Sequence, residues 1–146
     1  MFPLDTGKAR LRKIDYDILS FVEYPKTMEE IRAMFPGINT TVKILELMEK
    51  GLVEEKKGKY VSKFHTEETK KIIEEAKIPL EIKRGFNFFL SQIDNPFVRD
   101  NILDSETREK STFAFSLITK STTQELTPRE IVTLRSLVDH LLNKLR

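Results

Sequence analysis

Apolar residues recur along most of this chain at three- and four-residue steps, the spacing that lays them on one face of an α-helix. Ile14, Ile18, Leu19 and Val22 form the first such stripe and predict a helix over Asp15–Glu23. Tyr24-Pro25-Lys26 ends it, because a residue that precedes proline avoids helical geometry. Thr27 with Glu30 then makes a capping box for a short second helix, whose inward residues are Met28, Ile31 and Phe35 and which Pro36-Gly37 stops. A third helix is predicted from Asn39 or Thr40 to Gly51, a residue suited to a left-handed C-terminal cap. On a helical wheel Thr41, Ile44, Leu45, Leu47 and Met48 gather on the inner side and Asn39, Lys43, Glu46 and Lys50 on the outer, with Val42 at the border. The pattern then changes. Residues 52–56 and 59–62 read as two β-prone arms joined at Lys57-Gly58, the signature of a hairpin.

Helical spacing returns after the hairpin. Thr66 is placed to cap a helix reaching Ala76, with Ile72 and Ile73 inward. Pro79 marks the best boundary, which divides the chain into a first domain over residues 1–78 and a helical extension over 79–146. In the extension Ile82, Phe86, Phe89, Leu90 and Ile93 form an amphipathic stripe, and Asn95-Pro96 restarts a short helix. Residues 113–118 fit helical spacing but also alternate like a strand at Phe113, Phe115 and Leu117; helical neighbours favour helix. Thr127-Pro128-Arg129-Glu130 opens the last helix with an N-cap, a first-turn proline and a capping box. Its apolar residues Ile131, Leu134, Val138, Leu141 and Leu145 follow heptad spacing. The expectation is that this stripe is the interface of a homodimer; the alternative is packing inside one chain.

Composition narrows the class. With 39% hydrophobic and 33% charged residues the chain has the apolar mass for a core and is not a disordered tail. It lacks cysteine, so disulfides and thiolate metal sites are excluded. The first residues lack the apolar centre of a signal peptide, and no apolar run is long enough to span a bilayer, so the expected location is the cytoplasm. Net charge is only +2, shared evenly between the two parts, so attraction for phosphate has to be local. Two clusters are basic: Lys8, Arg10, Arg12 and Lys13 before the first helix, and Lys56, Lys57, Lys59 and Lys63 along the hairpin.

Catalytic signals are missing. His65 and His140 are the only histidines, far apart and outside any metal-ligand spacing. There is no phosphate-binding glycine loop and no nucleophile elbow, so neither an enzyme nor a cofactor or metal requirement is expected. The N-terminal turn of the third helix is better matched to base edges. Asn39 suits adenine, Thr40 and Thr41 suit hydrogen bonding or a thymine methyl, and Lys43 suits guanine or phosphate. Lys56, Lys57 and Lys59 would lie against the DNA backbone.

The stretch KTMEEIRAMFPGINTTV followed by ILELMEKGLVEEKKGKYVS resembles the winged-helix transcription regulators of archaea and bacteria, the broad group that includes MarR-, ArsR- and PadR-type proteins. Leu47, the Lys50-Gly51-Leu52-Val53 turn, the second helix over Thr27–Ile31 and Gly58 at the wing tip carry it. The resemblance covers about residues 10–76 and departs at Val42, a position often polar in that group. It implies a mainly α protein: a winged helix-turn-helix domain with a small β-hairpin wing, followed by an all-helical C-terminal extension. It also implies double-stranded DNA as partner, DNA-reading roles for Asn39, Thr40, Thr41 and Lys43, wing roles for Lys56, Lys57 and Lys59, and dimerisation through flanking helices. The expected function is a dimeric repressor, with a protein-binding module that has given up DNA as the alternative. The rings of Phe86, Phe88, Phe89, Phe97, Phe113 and Phe115 either pack the core and interface or surround a small apolar effector.

Overall fold

Short polar side chains start most of the helices. In a computed structural model that describes residues 11–146, helix α1 spans Lys13–Phe21, and α2, Met28–Met34, begins where Thr27 accepts a hydrogen bond from the Glu30 amide. Asn39, Thr66, Asn95, Asp104 and Thr127 cap α3 (Thr40–Glu49), α4 (Glu67–Glu75), α6 (Pro96–Ile102), α7 (Ser105–Ser121) and α8 (Pro128–Lys144) in the same way. Each cap satisfies an amide that the first helical turn leaves without a partner. Helix α5, Leu80–Ile93, follows Pro79. The two strands β1 (Val53–Lys56) and β2 (Lys59–Ser62) pair antiparallel, with Val53 opposite Ser62 and Lys56 opposite Lys59. The protein is therefore mainly α-helical with a small antiparallel sheet. The ambiguous residues 113–118 are helical, inside α7. Lys8 and Arg10 of the first basic cluster lie outside the described residues.

Helix α3 ends in a Schellman motif. Gly51, at φ 75°, lets its own amide reach the Met48 carbonyl at 2.9 Å and the Leu52 amide reach Leu47 at 3.0 Å. The chain then turns straight into β1. The segment after α1 lies along β2, since Lys26 and Tyr60 exchange backbone hydrogen bonds of 3.0 and 2.7 Å, and the Ser62 amide donates to Val22 at 2.8 Å.

The buried apolar residues form one continuous cluster, from Ile18, Ile31, Ile44 and Leu47 to Phe86, Phe89, Leu90, Leu134 and Leu141. Packing therefore crosses the junction at Ile78-Pro79. Polar groups cross it too. The guanidinium of Arg99, 1% exposed, donates to the carbonyls of Glu23 at 2.5 Å, Ser62 at 2.9 Å and Ile93 at 2.7 Å. It also stacks over the Phe64 ring at 4.5 Å. Beside it Arg108 grips both carboxylate oxygens of Glu23, at 2.9 and 2.6 Å. Asp94 accepts the amides of Phe64, at 2.6 Å, and His65. Gly85 lets α5 approach α8: a Cβ there would stand 2.9 Å from Val138 Cγ1.

The heptad stripe of α8 faces inward. Leu134, Val138 and Leu141 are buried in this chain's own core, and Ile131 and Leu145 pack against it, because α5 and α7 both lie on α8. Of the five residues expected to form a seam with a second subunit, Leu134, Val138 and Leu141 are therefore covered within the chain, while Ile131 and Leu145 keep partial exposure. No helix among the described residues is long and apolar enough to cross a membrane.

Candidate nucleic-acid interface

Helix α3 is seated by Thr40, Ile44 and Leu47, whose steps of four and three turn one face into the core. This corrects the assignment of Thr40 as a base-reading residue, for it is 3% exposed. Lys43 is also diverted. Its ammonium sits 3.1 Å from Asp15 on α1 and 3.3 Å from Glu46, so it ties α3 to α1. Burial acts to raise the Asp15 pKa, but the Arg12 amide and the Lys43 ammonium outweigh it and hold the carboxyl below the usual aspartate value. The same contact with Asp15 raises the Lys43 pKa.

Asn39 and Thr41 are better placed. Asn39 is exposed; its side-chain oxygen accepts the Val42 amide at 3.2 Å, and its amide nitrogen keeps its donors for a partner outside the chain. Thr41 Oγ1 accepts from Arg32 Nη2 at 2.9 Å. Arg32 thus brings a guanidinium from α2 to the start of α3, a contribution the sequence pattern did not single out. The available signal was its polar position between the inward residues Ile31 and Phe35. The remaining outward surface of α3 is less polar than the wheel indicates. Val42 is 49% and Leu45 53% exposed, with Glu46, Glu49 and Lys50 alongside. Leu45 lies outside because the core centres on Thr40, Ile44 and Leu47 rather than on the five-residue arc of the wheel.

The hairpin presents its cations at the tip. Lys57 and Gly58 both have positive φ, 53° and 78°, which is the two-residue type I′ turn matched to the twist of paired strands. Lys56, Lys57 and Lys59 are exposed. Lys56 lies 3.8 Å from Glu54, whereas Lys57 and Lys59 form no ion pair among the described residues. The hairpin lies close enough to α2 for a minor electrostatic influence: Lys59 acts weakly on Glu30, and Arg32 weakly on Tyr60 of β2. At the root, Val53, Val61 and Ser62 are buried and anchor the hairpin on the core.

Other candidates separate from this surface. Arg12 and Lys13 are exposed at the start of α1. His65 is half-buried, with Nε2 3.0 Å from Asn87 Oδ1. His140 lies beside the Lys110 ammonium, 3.2 Å from its Nε2. Phe86 stacks with Phe89 and Phe115 at centroid separations of 6.4 and 6.2 Å, inside the core. Phe88, Phe97 and Phe113 point to solvent, so the aromatic residues do not converge on one cavity. Among the described residues no group of three or more His, Asp or Glu side chains is arranged to hold a metal ion. Comparison of the chain with protein-family models, with curated proteins and with solved structures finds no match.

Proposed function

We propose that this protein is a winged helix-turn-helix DNA-binding regulator of transcription, most simply a repressor that blocks access to a promoter. In this reading α2 and α3 are the helix-turn-helix, α3 enters the major groove, and the hairpin is the wing that grips the adjoining backbone. The observation that carries it is the junction of Arg32 and Thr41 at the start of α3, beside a hairpin whose tip residues Lys57 and Lys59 lack anionic partners among the described residues. Asn39 and Thr41 supply polar contacts to base edges, and the exposed methyls of Val42 suit a thymine methyl. Arg32, Lys57 and Lys59 supply the phosphate contacts, each of which releases counterions. Because the stripe of α8 is internal, two-fold symmetry and an inverted-repeat target no longer follow from it.

Fluorescence anisotropy on labelled duplex DNA tests the proposal. Affinity is expected to fall steeply with salt. Lys57→Glu with Lys59→Glu should weaken it about tenfold or more, and flatten the salt slope by about 0.9 for each phosphate no longer neutralised. Unchanged affinity in that double variant removes the hairpin from the interface.

One observation favours a second reading. Met34, Ile38, Val42 and Leu45 are all exposed along the end of α2 and the outer side of α3, an apolar strip suited to a protein partner. Absence of duplex binding even at low salt would favour that reading.

A further inference from the structure

A groove of about 450 Å³ opens between α4 and α5, on residues that the proposed DNA surface does not use. Its cations are Lys70, Lys83 and Arg84, and its lining carboxylate is Glu74. Lys83 is half-buried and fixed, since its ammonium donates to the Glu74 carbonyl at 2.8 Å, leaving two N–H groups for a ligand. Lys70 touches Glu67 at 3.1 Å, but Glu67 is 89% exposed and a surface pair of that kind holds weakly. Arg84 forms no ion pair among the described residues. One turn beyond Lys83 and Arg84 on α5, Asn87 pairs with His65, which precedes α4. With the Asn87 oxygen accepting from His65 Nε2 at 3.0 Å, the Asn87 amide nitrogen retains both of its N–H donors. Leu80, largely exposed, forms an apolar lip.

We infer that this groove binds a small organic phosphate. Three cations face Glu74, with Glu67 paired to Lys70 at the rim, so the positive charge of the groove centres on Lys83 and Arg84. A phosphate monoester carries about −1.5 to −2 at neutral pH and offers three acceptor oxygens, which suits that charge and the free donors of Arg84, Lys83 and Asn87. A single carboxylate offers one oxygen fewer and less charge. Leu80 and the aliphatic stems of Lys70 and Lys83 suit an apolar or planar group on the phosphate. Hydrogen bonds already hold Lys83 and His65, so little ordering is left to oppose binding. The site is also wired to the hairpin. The His65 amide donates to Asp94, which lies 3.9 Å from Arg99, and Arg99 holds the Ser62 carbonyl at the end of β2. The inference does not depend on α3 meeting DNA.

Titration calorimetry with phenyl phosphate on the full chain tests it, with inorganic phosphate and benzoate as comparisons. Phenyl phosphate is expected to bind more tightly than either, and Arg84→Met and Lys83→Met each to weaken it about tenfold. The side-chain amide signal of Asn87 should shift on binding, and Lys57→Glu with Lys59→Glu should leave the affinity unaltered. Arg84 is exposed, so its variant retains the fold and keeps the test decisive if Lys83→Met does not. Equal affinity for benzoate would overturn the phosphate assignment, and equal affinity for inorganic phosphate the organic one. Failure to bind at millimolar concentration, or affinity unmoved by Arg84→Met, would remove the site.

Discussion

Lys57 occupies a left-handed backbone position at the hairpin tip, φ 53°, where a non-glycine residue costs about 1 kcal/mol. Asparagine followed by glycine is the pair such a turn prefers. Lysine at that position projects a charge from the outermost point of the hairpin, at some cost in local stability. Lys57→Asn recovers part of that cost, so it is expected to stabilise the fold by about 0.5 kcal/mol and to weaken duplex binding, as read by thermal unfolding and anisotropy on one preparation. A variant that is less stable, or that binds DNA as well as the parent, would contradict this account. The turn itself was legible from Lys57-Gly58 between two β-prone arms. The burial of Thr40 was not, because a threonine at a helix start suits a cap, a base contact or a packed position, and only the packing of distant segments around it decides among them.

At the scale of elements, α3 is the best-determined unit and its outward face the least. Its caps and length follow from Asn39 and Gly51, yet its rotation is set by the fit of Ile44 and Leu47 into the core and by the clasp of Lys43 on Asp15. That clasp has a pH signature. The folded-state pKa of Asp15 is depressed, so its contribution is present above the unfolded value of about 3.9 and is lost as pH falls through the lower folded value. Asp15→Asn should cost about 1 to 2 kcal/mol at neutral pH, and the difference from the parent should shrink below about pH 4. Urea unfolding at both pH values measures it; a gap independent of pH would mean that the charge of Asp15 plays no part. Helix α8 makes the complementary point. Its heptad stripe was plain in the sequence, but spacing tells which face is apolar and not which neighbour covers it.

Across the whole molecule, Arg99 and Arg108 fasten the extension to the end of α1 and the root of the hairpin. Burial lowers the Arg99 pKa, while Asp94 and Glu23 act to raise it. Replacing it leaves three buried carbonyls without donors, so Arg99→Leu should cost about 3 to 5 kcal/mol. The parent chain should unfold in one transition, with circular dichroism and tyrosine fluorescence coinciding in urea, because one apolar cluster runs through both parts. Two separated transitions, or an Arg99→Leu destabilisation below about 1 kcal/mol, would mean that the halves stand independently.

What the chain determined by itself is local: where helices start and stop, the two-residue turn of the hairpin, and the apolar period of each element. Those features depend on groups a few residues apart. The tertiary structure alone decided that the α8 stripe is internal, that Lys43 is committed to Asp15, that Arg32 joins Thr41, and that Lys83, Arg84 and Asn87 share a groove with His65. Each of these depends on groups brought together from distant segments by packing. Hydrophobic burial has no direction of its own, so the sequence marks a surface for covering and the fold selects the partner.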